Sequence, residues 1–211
     1  EVPLAAPSAN LSGKPSPTTA QHVMRDLSGK IPMIIDGGSC EVGLESTVID
    51  LSGEVPTLLR PGGITLTQLR DTIGEVAVNP KILEEVDDGE AVASPGMKYK
   101  HYSPSAPVVI VNGEAEVFKN YVIENSRDKK VAVLCFDEET SLFEGSSVSV
   151  VTYGSISDTS ELAAKLFASL RSLDDIDPDI IYAREPDCGD GLELAVVNRL
   201  SRAAGFSKIS I

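Results

Sequence analysis

Beyond residue 107 the chain alternates short apolar runs with helix-like stretches, and this alternation constrains its fold more than any other feature. Val108 to Val111 reads as a strand, Ala115 to Asn125 as a helix, and Lys130 to Cys135 and Ser147 to Tyr153 as two further strands. Thr159 to Leu173 repeats Leu162, Leu166, Phe167 and Leu170 along one helical face. Asp179 to Ala183 is expected as a strand, and Leu192 to Ala204 as a helix closed by Gly205. A strand that returns through a helix runs in the same direction as its predecessor. The expected product is a small three-layer α/β domain with a mainly parallel sheet over residues 107–211.

Residues 1–81 mix strands and helices less regularly. Ser16-Pro17 reads as an N-cap followed by proline at the first helical position, with a helix from Thr18 to Leu27 stopped by Ser28-Gly29. Pro32 to Asp36 is expected as a short buried strand. Ser46 to Leu51 and Thr57 to Arg60 follow as strands joined by a turn, and Thr65 caps a brief helix reaching Ile73. Residues 82–106 begin acidic and weakly patterned and contain Pro95-Gly96, which marks them as an interdomain linker.

The net charge of -14 argues against a surface built to track nucleic-acid phosphates. Cys40, Cys135 and Cys188 are odd in number and widely spaced, which fits a reducing cytoplasm and neither a disulfide framework nor a zinc site. No apolar run approaches the ~20 residues of a membrane span, and no secretory leader pattern is visible. The chain opens on Glu1 where a methionine would stand, so a fragment, a processed product or a partial chain is expected.

Four segments carry candidate chemistry. From Pro3 to Thr18 the chain holds small side chains, hydroxyls, one amide and one lysine, with almost nothing to place in a core. Ala5, Ala6 and Gly13 let a ligand approach the backbone, and Ser8, Asn10, Ser12 and Ser16 offer polar groups. A helix opening after Ser16 would favour an anion; an ordinary capped loop explains the same residues equally well. Gly43 to Thr47 puts a Glu-Ser-Thr triplet at a strand entrance, suited to a small polar ligand or simply to a strand start. Arg60-Pro-Gly-Gly63 presents a guanidinium beside a pliant turn, fit for phosphate or carboxylate, or for a surface ion pair. Ser94 to Pro104 gathers two lysines, two tyrosines and a histidine inside the linker. These could fold over a ligand, or the tyrosines could pin the linker between domains.

Taken in order, Pro7 to Asn10, Ser12 to Thr18, Gly43 to Val48, Leu59 to Gly63 and Ser94 to Pro104 resemble the long form of the YrdC-type L-threonylcarbamoyladenylate synthases. The resemblance rests on specific motifs in the first half of the chain and on architecture alone in the second. It implies a YrdC-like twisted-sheet portion over 1–81, a linker over 82–106 that closes over the site, and a Rossmann-like domain over 107–211. The implied reaction joins L-threonine, bicarbonate and ATP into threonylcarbamoyl-AMP with release of pyrophosphate. Its product feeds the N6-threonylcarbamoyl modification of adenosine in tRNA through a downstream transferase machinery, in the cytoplasm.

Carried over by position, the resemblance assigns Ser8, Asn10, Ser16 and Arg60 to ATP, and Ala6 and Ser46 to threonine or its carbamate. Tyr99, His101 and Tyr102 would form the lid, Mg²⁺ would arrive on the ATP phosphates, and no protein nucleophile is implied. The family's N-terminal half of the catalytic domain, with its Lys-x-Arg motif and threonine loop, has no counterpart here. The expectation is an isolated chain that is inactive and needs that half as its partner. A non-catalytic nucleotide- or RNA-binding module, a carbamoyltransferase and a purely structural fragment are the competing readings.

Overall fold

The computed structural model describes residues 2–3, 5–84 and 102–211. In the C-terminal part five strands form one parallel sheet: β4 (Val108–Asn112), β5 (Val131–Cys135), β6 (Ser149–Thr152), β7 (Ile180–Arg184) and β8 (Lys208–Ser210), in the order β6-β5-β7-β4-β8. Three helices belong to it: α3 (Ala115–Glu124), α4 (Thr159–Ile176) and α5 (Glu193–Ala203). A 3-10 segment, Asp137–Phe143, links β5 to β6.

The strands are apolar on both faces because both are covered. Alternate residues Val131, Val133 and Cys135 point to one core with Phe118, Val122 and Phe143 from α3 and the 3-10 segment. Their neighbours Ala132 and Leu134 point to the other core, with Leu162, Leu166, Leu170, Val196 and Leu200 from α4 and α5. The expected three-layer α/β architecture is what forms.

The N-terminal part builds a smaller sheet in the order β1-β2-β3, from β1 (Val48–Asp50), β2 (Thr57–Arg60) and β3 (Ala77–Val78). β1 pairs antiparallel with β2, and β3 parallel with it. Helix α2 (Leu66–Ile73) starts at Thr65, whose hydroxyl accepts from the Gln68 N–H while Gln68 Oε1 accepts from the Thr65 N–H. Leu58, Leu66, Val76 and Ile82 close a small core on Leu194 of α5, so this sheet leans on the C-terminal domain.

Two local expectations do not hold. Helix α1 is Ala20–Leu27, capped by Thr19, whose hydroxyl accepts from the His22 N–H; Ser16 is not the cap because the helix begins four residues beyond it, and its hydroxyl donates to Glu45. Pro32 to Asp36 forms no strand and is not buried: Met33 is 72% and Ile35 84% exposed. Apolar density alone suggested a strand there, but no neighbouring strand among the described residues offers a ladder to pair with.

Candidate functional site

Glu45 is the centre of the site. One carboxylate oxygen accepts from Ser16 Oγ at 2.6 Å, and the other accepts from Arg199 Nε at 2.7 Å. Burial pushes this carboxyl upward, but the Arg199 charge and the hydrogen bonds from Ser16 and Arg199 outweigh it and hold Glu45 below the usual range. Next to it, Ser46 receives Arg60 twice: Arg60 Nε donates to the Ser46 carbonyl at 3.0 Å, and Nη2 to the Ser46 hydroxyl at 3.3 Å. Burial and the neighbouring Arg199 charge both lower the Arg60 pKa. Arg60 and Arg199 thus lie near a single carboxylate to which only Arg199 is bonded, which leaves a local cationic excess inside an acidic chain.

Gly62 makes this approach possible. A Cβ there would stand 2.4 Å from the Glu45 carbonyl oxygen and 2.5 Å from the Thr47 nitrogen, so only glycine lets the Arg60 strand end lie against the Glu45 loop.

Tyr102 forms the next wall. Its ring is buried, lies 5.0 Å from the Phe167 ring and has the Arg199 guanidinium 5.8 Å from its centroid. Its φ of 67° is in the left-handed region, which an aromatic residue occupies only when its surroundings hold it there. Burial, with Glu45 nearby, raises its phenol pKa, so the group is a neutral donor.

The loop ahead of Ser16 is braced from the C-terminal domain. Asn10 Nδ2 donates to the carbonyls of Leu11 (2.8 Å) and Lys14 (3.2 Å), which leaves its buried Oδ1 with no hydrogen-bond partner among the described residues. Arg171 Nη2 donates to the Pro15 carbonyl, and Lys14 is bound to Asp174 at 2.9 Å. The one lysine of this segment is therefore engaged with the C-terminal domain.

Of the residues singled out from the sequence, the fold gathers Ser16, Ser46, Arg60 and Tyr102 around Glu45. Asn10 braces the adjoining loop. Ala6 and Ser8 lie in the exposed, irregular lead-in, and no hydrogen bond links them to the Glu45 group among the described residues. Tyr99 and His101 lie outside the described residues. Arg199 and Arg202 were missed, because charged positions on a helix ordinarily read as a solvated face. The available signal was that the residues one turn before Arg199 and two of those just after it are apolar: Leu194 to Val197, then Leu200 and Ala203. No group of three or more His, Cys, Asp or Glu side chains among the described residues is placed to hold a metal. No helix among them is long and apolar enough to cross a membrane.

Residues 64–205 match the family profile described as the threonylcarbamoyl-AMP synthase C-terminal domain. The chain belongs to that family. Residues 1–62 match a second profile, the Sua5/YciO/YrdC family, described as "Telomere recombination". Over 220 residues the chain is 42% identical to the threonylcarbamoyl-AMP synthase of Pyrococcus abyssi, covering 100% of this chain and 60% of that protein. Over 206 residues it is 43% identical to the Bacillus subtilis protein of the same description, covering 97% of this chain and 58% of that one. A crystal structure of P. abyssi Sua5 complexed with L-threonine superposes with a TM-score of 0.83 at 41% identity, over 97% of this chain and 58% of the other. The chain thus spans about three-fifths of the length of these relatives.

Proposed function

We propose that this chain is the C-terminal portion of a threonylcarbamoyl-AMP synthase and forms the wall of the site that holds ATP. The observation that carries this reading is the half-buried Arg60, fixed by Ser46 on one side and set in a cluster with more cations than carboxylates. Such a guanidinium suits a phosphate, and the similarity to synthases along the whole chain supports ATP, the adenylyl donor of the proposed reaction, as the source of that phosphate.

In the proposed reaction the neutral threonine amine condenses with bicarbonate: the N–C bond forms, a C–O bond of bicarbonate breaks, and water leaves to give the carbamate. A carbamate oxygen attacks the α-phosphorus of ATP, the bond to the β-phosphate oxygen breaks, and pyrophosphate leaves. Catalysis then depends on orientation and on neutralising phosphate charge. Arg60 is placed to do the second. Ser46 keeps its own hydroxyl proton free, because it accepts from Arg60, and can donate it to the carbamate. Ser16 has given its proton to Glu45, so toward a ligand it acts as an acceptor, suited to a ribose hydroxyl. The buried Asn10 Oδ1 is likewise an acceptor, suited to the adenine amino group or a ribose hydroxyl. Ser8 is assigned to the nucleotide and Ala6 to threonine by position alone. Tyr99, His101 and Tyr102 are proposed to cover the bound reactants, and Mg²⁺ to enter on the phosphates.

The partner in this reading is the N-terminal half of the catalytic domain. It would pair with the β1 edge and cover Met33 and Ile35, which the present chain leaves exposed. The product would pass to a transferase acting on tRNA. The test joins this chain to that N-terminal half and measures threonine-dependent pyrophosphate release, with Arg60→Ala alongside. The joined protein is expected to be active, the isolated chain inactive, and Arg60→Ala to lose most ATP use. Full activity in the Arg60→Ala protein would remove the phosphate role.

A further inference from the structure

Arg199 belongs to the C-terminal domain, yet most of its hydrogen bonds serve the other half of the molecule. It is 1% exposed. Nε binds the Glu45 carboxylate, Nη2 donates to the Pro61 carbonyl at 3.0 Å, and Nη1 donates to its neighbour Asn198. Pro61 follows Arg60 and Glu45 precedes Ser46, so a single guanidinium ties together the two backbone segments that hold Arg60. The same carboxylate carries the tie on to Ser16. The planar fork of arginine is what allows these directions to be met at once, and a lysine ammonium has no equivalent geometry.

Arg199 also sets the charge of the site. Without it, Glu45 would stand in a partly desolvated pocket with no guanidinium bonded to it, beside the place where a polyphosphate is proposed to bind. With it, Glu45 is neutralised and Arg60 remains available.

We propose that Arg199 is a positioning residue for nucleotide binding, acting through Glu45 to orient Ser16 and Arg60 and to cancel the Glu45 charge. This gives the C-terminal domain a defined task in the site, and it rests on the ATP reading above. The consequence that separates it from simple domain glue is that the harm done by losing Arg199 comes from the uncompensated Glu45 carboxylate. Removing that charge as well should therefore restore binding.

The test uses the chain joined to the N-terminal half of the catalytic domain. ATP affinity is measured by calorimetry, threonine KM by pyrophosphate release, and folding by thermal melting, for Arg199→Met, Arg199→Lys and the double variant Arg199→Met/Glu45→Gln. Arg199→Met is expected to weaken ATP binding by about tenfold or more, the scale of one lost charge-assisted contact. Threonine KM should change by less than ATP affinity does, because Arg199 reaches the Ser46 hydroxyl only indirectly, through Glu45 and Arg60. The Lys variant should recover only part of the loss. The double variant should bind ATP more tightly than Arg199→Met alone while melting no higher. Equal losses for ATP and threonine, or a double variant no better than Arg199→Met, would overturn the proposal. If the unmutated joined protein binds ATP but releases no pyrophosphate with threonine, the functional reading fails while the Arg199 comparison is still decided by calorimetry.

Discussion

Arg171 of α4 grips both carboxylate oxygens of Asp26 on α1, with Nη1 3.1 Å from Oδ1 and Nη2 2.7 Å from Oδ2. Both side chains are buried, and the same Nη2 also reaches the Pro15 carbonyl. This pair fastens α1 and the loop leading to Ser16 onto the C-terminal domain. Removing one member leaves the other charge buried without its counter-ion, which typically costs about 3–5 kcal/mol. Asp26→Ala is therefore expected to loosen the region before Ser16 while the five-stranded sheet persists. Hydrogen exchange checks it: amides of α1 should lose protection and those of β5 should keep theirs. Unchanged α1 protection would show that this pair is not what holds the helix.

Gly62 is expected to be intolerant of any side chain. The Cβ of Gly62→Ala would press on backbone atoms of residues 45–47, which cannot swing aside as a flexible side chain does. The strand end carrying Arg60 would have to part from the Glu45 loop, for a loss near the upper end of the ~0.5–3 kcal/mol usual for point substitutions. Denaturant unfolding gives the stability, and ATP calorimetry on the joined protein gives the site. An alanine variant with native stability and native ATP affinity would contradict the contact.

Where the chain repeats a pattern over several residues, sequence and structure agree closely. Thr57–Arg60 and Leu66–Ile73 begin and end as read, because cap, strand and turn residues all point the same way. β8 was not read at all: Lys208 to Ser210 offers a single apolar residue, and only its place beside β4 makes it a strand. The opposite error came at Met33 to Ile35, where hydrophobicity was present and the partner strand was not. In the site, Arg60 and Ser46 were visible because a motif marked them. The Glu45–Arg199 bond was not, since its members stand 154 residues apart and meet only when α5 packs on the small sheet. Local patterns cannot encode such a meeting.

Acid should weaken the joint between the two parts of the chain before it disturbs the sheet. Asp26 is held below the ordinary carboxylate range by its hydrogen bond from Arg171. For Glu45 and Asp174 burial pushes the other way, but the Arg199 charge and the hydrogen bonds from Ser16 and Arg199, and for Asp174 the contacts to Lys14 and Ser105, prevail. A carboxyl whose pKa is lower folded than unfolded contributes stability that is fully present above its unfolded value, about 4, and is lost as pH falls through the folded value. Stability should therefore fall steeply only below about pH 4. An Asp26→Asn variant should start lower at neutral pH and lose less on acidification. Parallel pH profiles for the two proteins would mean that Asp26 does not carry this linkage.

The three cysteines should separate cleanly under a thiol reagent. Cys135 lies at the end of β5 with no exposed surface, and burial, followed by the nearby Glu139 charge, pushes its thiol up to about 12. Reaction needs both access and thiolate, and at neutral pH Cys135 has neither. Cys40 and Cys188 are exposed. Partial burial and the carboxylates of Glu185, Asp190 and Glu193 raise the Cys188 pKa, so its labelling should climb markedly as pH is raised. Iodoacetamide followed by mass spectrometry is expected to give two labels on the native chain and a third only in denaturant. Prompt labelling of Cys135 in the native chain would mean that β5 does not lie inside a sheet covered on both faces.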